Sequence, residues 1–491
     1  MTSIALPFAG GSRQFVAGEW VASRSTQSIP VENPATGEII AEIAAGGAED
    51  VAMAVAAAGE AIARRGAARF NPVQRQEALF ALARAIEAEA EDFAAIETLD
   101  AGKPISNTRR IDVPAAAAIL RYFGGWATKL SGETMELSQP GEGLGFTLRE
   151  PVGVVGQIIP WNYPLMGAAF KIGPAIAAGC AVVLKPAEQS SLSALKLAEL
   201  TAQCGFPPGY VNLVTGLGNA AGAALVEHPD VAKISFTGST ATGREIAARC
   251  AHMMKRVTVE LGGKSPVIVM GDANLDLAAR NIAMNIFLNS GQTCSAGSRL
   301  LVDARIADEL VDKVAQIANA MVLGRTDDEA TQLGPVISQA QRERITAYVD
   351  GAIAEGARAS RSGRQLPAQG HYVEPTVLSN VQPGMRAVDE EIFGPVLCAM
   401  PFETGDLDEI AALANDSAYG LAGYVFTSNL DAAHGLVARL KAGTVRVNTM
   451  SGADLSMPAG GFKQSGFGRE NGRAGVEAYT ELKSVTMAFG S

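Results

Sequence analysis

Cys294 stands in GQTCSAG (291–297), between two hydroxyl residues and three positions after a glycine. A thiol presented on such a turn attacks electrophilic carbon once it loses its proton. The competing reading is a small hydrophobe, because free cysteine is among the most buried residue types and buried cysteines are mostly inert. Glu260 closes the apolar run in VTVELGGKSP (257–266). A carboxylate there has a raised pKa and suits a general base; a strand-end salt bridge is the alternative. Asn162 sits in PWNYP (160–164), between a Trp and a Tyr. An amide held in an apolar turn can donate to an oxyanion, or simply shape the turn.

Other stretches could hold a dinucleotide. LKPAEQS (184–190) places Lys185 and Glu188 just beyond a strand, where a ribose would sit. A carboxylate there accepts from ribose hydroxyls and repels a 2′-phosphate; a solvated loop is the plainer reading. The dinucleotide fingerprint G-x-G-x-x-G has no match. GLGNAAG (216–222) has one residue too many, and GSTATG (238–243) lacks the spacing. Either is equally well a tight turn. FTGST is the better candidate, since Gly238 permits close backbone approach and Ser239 opens a helix that can hold phosphate.

These residues need elements to position them. RQFVAGEWVAS (13–23) predicts a hairpin turning at Gly18, and NPATGEIIAEI (33–43) another turning at Gly37. Helical spacing covers 48–66, 72–100 and 110–130, with Asp50, Asn71 and Pro72 at the starts. Residues 135–153 predict an extended hairpin around Pro140-Gly141. From residue 152, short apolar runs alternate with helical segments: strands at VGVVGQIIP, AVVLKP, YVNLVTG and KISFTGS, and helices at 163–178, 190–204, 219–226 and 240–251. That alternation means βαβ units and a parallel sheet. Residues 266–450 repeat the style, which predicts a second α/β domain. The last strand, ELKSVTMAF (481–489), follows a glycine-rich stretch and is placed to leave the core and pair elsewhere.

Composition sets the class. The chain has 491 residues, 48% hydrophobic and 19% charged, which suits a tightly packed α/β enzyme of two or three domains. A net charge of −11 argues against nucleic acid. Five scattered cysteines without a CxxC, and four dispersed histidines, predict a reduced protein with no metal site. The N-terminus carries no secretory signal pattern, and no apolar stretch is long enough to span a bilayer. A cytoplasmic protein with no membrane partner is expected.

The stretches PWNYP, KPAEQ, FTGST, ELGGKSP, GQTC, EEIFGPV, NDSAYGLAG and GGFKQSGFGRE occur in this order over nearly the whole chain. With them the chain resembles the NAD(P)-dependent aldehyde dehydrogenase superfamily, and its acidic Asp454 resembles a γ-glutamyl-aminobutyraldehyde dehydrogenase-like branch. The resemblance implies two Rossmann-like α/β domains and a small oligomerisation β-arm. It assigns 1–131 and 152–262 to cofactor binding, 263–476 to catalysis, and 132–151 with 477–491 to the arm of a homodimer or homotetramer. It implies that Cys294 is the nucleophile, Glu260 the base, and Asn162 with the Cys294 N–H the oxyanion hole. For NAD, favoured over NADP, it implies Ile158, Pro160, Trp161, Lys185, Glu188, Gly218, Gly222, Phe236, Gly238, Ser239, Leu261, Glu391 and Phe393. Tyr163, Phe170 and Ala459 would face a small-molecule aldehyde. Glu470 could relay protons, with a salt bridge as its other reading.

Two departures bear on the substrate. Ala459 stands in PAGG where the family often has Phe, and Phe170 where Trp is frequent. Asp454 points to amino- or amide-bearing aldehydes, whereas the space at Ala459 points to a bulky aromatic one. Three rivals are weighed: a CoA-acylating semialdehyde dehydrogenase, which would lack the base; a Cys–His hydrolase using His252; and a non-enzymatic protein that kept the fold.

Overall fold

The computed structural model describes residues 12–138, 141–452 and 454–489. Its first sheet has eight strands, in spatial order Glu19–Ala22, Arg13–Val16, Val211–Leu213, Ala181–Lys185, Val154–Ile158, Lys233–Thr237, Arg256–Glu260 and Gly466–Phe467. The five from Val211–Leu213 to Arg256–Glu260 are parallel. The chain lays them down third, second, first, fourth, fifth. Such an order reverses direction between the Val154–Ile158 and Lys233–Thr237 strands, and a crevice opens there at their carboxyl ends. Every residue of Val154–Ile158 and Ala181–Lys185 is buried, as expected of strands covered by helices on both faces.

The second sheet runs Arg358–Ser360, Thr376–Ser379, Val396–Phe402, Arg299–Asp303, Pro266–Val269, Ala422–Phe426, Thr444–Val447, with only the first strand antiparallel. Its side chains alternate between two cores. Val267, Val269, Leu300 and Val302 face one, and Ile268 and Leu301 the other. A third, three-stranded sheet places Gly143–Pro151 between Thr480–Ala488 and Thr134–Met135. The last strand thus pairs outside both large sheets. The hairpin reading of 135–153 holds for Thr134–Met135 against Gly143–Pro151, while Pro140 in its turn lies outside the described residues.

Three expectations shift in detail. The second hairpin turns at Gly37 as expected, but its strands are Ser28–Glu32 and Ile39–Ala44, so the first strand lies before residue 33. The helical stretch 72–100 is two helices, Pro72–Ala88 and Ala90–Ala101, interrupted at Glu89. The segment around 110–130 starts earlier and ends earlier, as a continuous helical run from Ile105 to Gly124. The first of the split helices starts where expected. Asn71 accepts from the Gln74 N–H, Gln74 answers, and Pro72 needs no donor there.

Between these helices and the site lies a buried cluster of ionisable groups. Lys103 pairs with Asp112 at 2.9 Å, and both are almost fully enclosed. Glu97 accepts from the Leu165 N–H at 3.0 Å and from the Ser193 hydroxyl, and Asp100 accepts from the Leu192 N–H at 2.9 Å. The two carboxylates therefore satisfy open donors at the starts of two helices. Among the described residues no helix is long and apolar enough to cross a membrane.

Candidate active site

PWNYP follows the Val154–Ile158 strand and leads into the Pro164–Ala178 helix, so Asn162 stands at the carboxyl end of the first sheet. GQTC follows the Leu275–Phe287 helix through a tight turn. Asn289, Ser290 and Gly291 all have positive φ, at 51°, 54° and 73°. Such backbone costs energy for Asn and Ser, and persists only where surroundings hold it. Here they do. The Asn289 amide donates to the Asn162 carbonyl at 2.9 Å, Ser290 to the Gly334 carbonyl at 2.7 Å, and the Ile337 N–H to the Gln292 side chain at 2.9 Å. The Asn162 amide donates to the Gln292 carbonyl at 2.8 Å. An amide nitrogen has a second N–H left to offer. Asn162 and Cys294 are thereby brought together from 132 positions apart.

Glu260 ends its strand, and Gly262-Gly263 lets the chain pass between Glu391 and Cys294. A Cβ on Gly262 would lie 2.1 Å from the Glu391 carboxylate, and one on Gly263 2.4 Å from the Cys294 carbonyl. No other residue fits either position. Glu391 then accepts from the Gly263 N–H at 3.0 Å, and burial raises its pKa to about 7. Glu260 is buried with its Oε1 unpartnered. Burial, and then the charge of Glu470, hold its pKa well above the usual carboxylate range, against the pull of Lys171. Lys171 itself pairs with Glu470 and donates to Ser235 at 3.0 Å. Cys294 is half-buried. Burial, then Glu391 and Glu260, push its thiol up to about 12. Both neighbouring carboxylates, Glu391 and Glu260, thus oppose ionisation of the thiol.

The cofactor candidates flank the crevice. Register sets Ile158 against Lys185 on one side and Phe236 on the other. Lys185 donates to Glu188 at 3.2 Å and to the Pro186 carbonyl at 2.9 Å. Gly222 lies against the Lys185 stem, while Gly218 opens the helical turn four residues earlier. A Cβ on Gly238 would strike the Phe236 ring at 2.5 Å, so this backbone stays bare beside Ser239, which caps the Thr240–His252 helix. Leu261 packs on Gly243 of that helix. Trp161 and Phe393 meet edge to face at 5.3 Å beyond Pro160. A bare helix start, a buried lysine with its carboxylate and the Glu391 carboxyl together fit a dinucleotide phosphate and its two riboses.

Phe170 is half-buried on the Pro164–Ala178 helix. Ala459 exchanges two 2.7 Å backbone bonds with Glu470, which ties it to the Lys171–Glu470 pair. Met457 and Phe467 are 64% and 49% exposed. Asp454 turns its carboxylate onto the Ser456 N–H and hydroxyl, at 2.8 and 2.7 Å. His252 ends the helix that Ser239 begins, roughly 18 Å from the crevice at 1.5 Å per residue. It has no part in a Cys–His pair with Cys294. Sequence reading missed Asn289, Gln292 and Lys103; the polar run NSGQ at a helix end was the one available signal.

The decisive comparison is with family models: residues 20–485 match the Aldehyde dehydrogenase family. This chain is an aldehyde dehydrogenase. It is 43% identical to a phenylacetaldehyde dehydrogenase of Pseudomonas fluorescens, over 97% of this chain and 96% of that one. It is 44% identical to a mitochondrial aldehyde dehydrogenase of Homo sapiens, over 96% and 91%. The structure of an aldehyde dehydrogenase from Bacillus cereus in complex with NAD⁺ superposes with a TM-score of 0.96 at 41% identity, covering 100% and 99%. The α/β fold expected from sequence is the fold of this aldehyde dehydrogenase.

Proposed function

We propose that this aldehyde dehydrogenase oxidises an aldehyde to its carboxylic acid with NAD, through a covalent intermediate on Cys294. The observation that supports it most is the meeting of Cys294, Glu260, Asn162 and Glu391 at one crevice. The Cys294 sulfur, relieved of its proton, bonds to the aldehyde carbon, and the carbonyl oxygen becomes an oxyanion. The second Asn162 N–H and the Cys294 backbone N–H stabilise it; one such donor contributes ~3–4 kcal/mol. Bound NAD supplies the two-electron acceptor. The acyl group then rests on Cys294 as a thioester, and Glu260 takes a proton from the water that hydrolyses it. Glu260 thus argues for hydrolysis over transfer to CoA. NADH formation at 340 nm across a panel of aldehydes tests the reading; no turnover with any would overturn it in favour of a non-enzymatic role.

NAD is the expected cofactor, with NADP disfavoured, because Glu188 repels a 2′-phosphate that Lys185 only partly offsets. A preference of about tenfold or more in kcat/KM is expected. Glu188→Gln should narrow it, and equal kcat/KM for the two cofactors in the parent protein would refute the assignment.

The substrate class we propose is a bulky aromatic aldehyde. Ala459 is a small residue where the family often has Phe, Asp454 is engaged locally by Ser456, and one relative is named for phenylacetaldehyde. A large side chain gains ~25 cal/mol per Å² of apolar surface buried. Ala459→Phe should therefore penalise phenylacetaldehyde while sparing propanal. The ratio of their kcat/KM values in both proteins is the measurement, and an unchanged ratio sinks the open-tunnel idea.

The domain boundaries and the arm are part of the same proposal. Thr480–Ala488 is an edge strand, and Leu144, Leu148, Leu482 and Met487 stand exposed on its sheet. An exposed apolar edge is suited to pairing with another copy, which supports a homodimer or homotetramer.

A further inference from the structure

The turn that carries Cys294 is held by the bonds described above, and the one nearest the thiol is between two hydroxyls. Tyr163 Oη lies 2.9 Å from Thr293 Oγ1. Tyr163 directly follows Asn162, and Thr293 directly precedes Cys294. The bond therefore joins the neighbours of the oxyanion donor and the nucleophile. The Tyr163 ring is fixed from its other face: the Lys103 ammonium sits 3.8 Å from the ring centroid, and is itself paired with buried Asp112. A cation on the ring face is attractive and leaves the hydroxyl free to point at Thr293. Burial, and then the charge of Asp112, raise the phenol's pKa, so it stays neutral and keeps its proton.

We propose that Tyr163 and Thr293 are positioning residues. Their hydroxyl pair fixes the spacing between Asn162 and Cys294, and so the geometry in which the thiohemiacetal forms. The role lies in the hydroxyls, apart from any contact the ring makes with substrate. It rests on the reading of Cys294 as nucleophile.

Tyr163→Phe and Thr293→Val each remove one partner and keep the packing. Each is expected to slow the pre-steady-state burst by about five- to tenfold, the scale of one hydrogen bond, with the KM for NAD unchanged. The double variant should be slowed by less than the product of the two single effects, because the two hydroxyls share one bond. Thr293→Ser keeps the hydroxyl and should restore the rate. Alkylation of Cys294 by iodoacetamide gives a second readout without substrate, and should follow the same pattern. Wild-type bursts and alkylation rates in both single variants would overturn the proposal. So would losses that multiply in the double variant. A Cys294→Ala protein that still turned over would instead remove the reading on which the proposal stands, so the two failures are told apart.

Discussion

Cys294→Ala is expected to abolish dehydrogenase turnover while leaving NAD binding intact. The substitution removes one sulfur from a half-buried side chain, and none of the cofactor candidates at Lys185, Glu188, Ser239 or Glu391 depends on it for a hydrogen bond. Without the sulfur no thiohemiacetal or thioester forms, and neither the oxyanion donors nor the base has anything to act on. Residual turnover above a few per cent of wild type would refute the nucleophile assignment. The same thiol predicts a pH dependence. With its pKa pushed up to about 12 by burial and by Glu391 and Glu260, the thiol is neutral over the working pH range. The deprotonated form reacts, and the pKa lies above the working range. Alkylation should therefore speed up by about tenfold per pH unit between 7 and 9. A rate that is flat over that range would mean that the thiol is already ionised.

Glu260→Gln is expected to separate the two halves of the reaction. The amide is nearly isosteric and cannot accept a proton, so hydrolysis of the thioester should slow by about 10²- to 10⁴-fold. The first turnover, seen as a rapid burst of NADH in stopped flow, should survive. The raised pKa of Glu260 comes from burial and from Glu470, and it brings the carboxylate toward the range in which a base is effective at neutral pH. Should the burst vanish along with steady-state turnover, Glu260 is needed to deprotonate Cys294, and its main role moves to the first step.

The local signals of this site were legible in the sequence. A cysteine after a glycine turn, a glutamate closing an apolar strand and an asparagine between prolines each sit where the structure has them. The alternation of strands and helices after residue 152 gave the parallel sheet directly, because period and turn residues are local properties. The glycine fingerprint failed for a physical reason: the bare backbone at Gly238 is set by the Phe236 ring, which no spacing rule describes. The break at Glu89 carries neither Gly nor Pro, so helical periodicity runs through it unmarked. The support behind the site is non-local. Lys171 meets Glu470 from 299 positions away, and Lys103 lies under Tyr163 from 60. Nor does any propensity predict Asn289 and Ser290 in left-handed backbone, since the bonds that hold them come from Gly334 and Asn162.

The two-residue strand Gly466–Phe467 pairs with Val259 and Glu260 and closes the edge of the first sheet. This makes the order of synthesis matter. Residues 13–260 of the sheet leave the ribosome more than two hundred residues before the segment that covers them. Until then the strand that bears Glu260 is an open edge, free to pair with any other extended chain. A polypeptide that stops short of residue 466 retains Cys294, Asn162 and Glu260, yet leaves the base uncovered and without Glu470 behind it. The edge that carries Glu260 is therefore closed only by a segment that is made last.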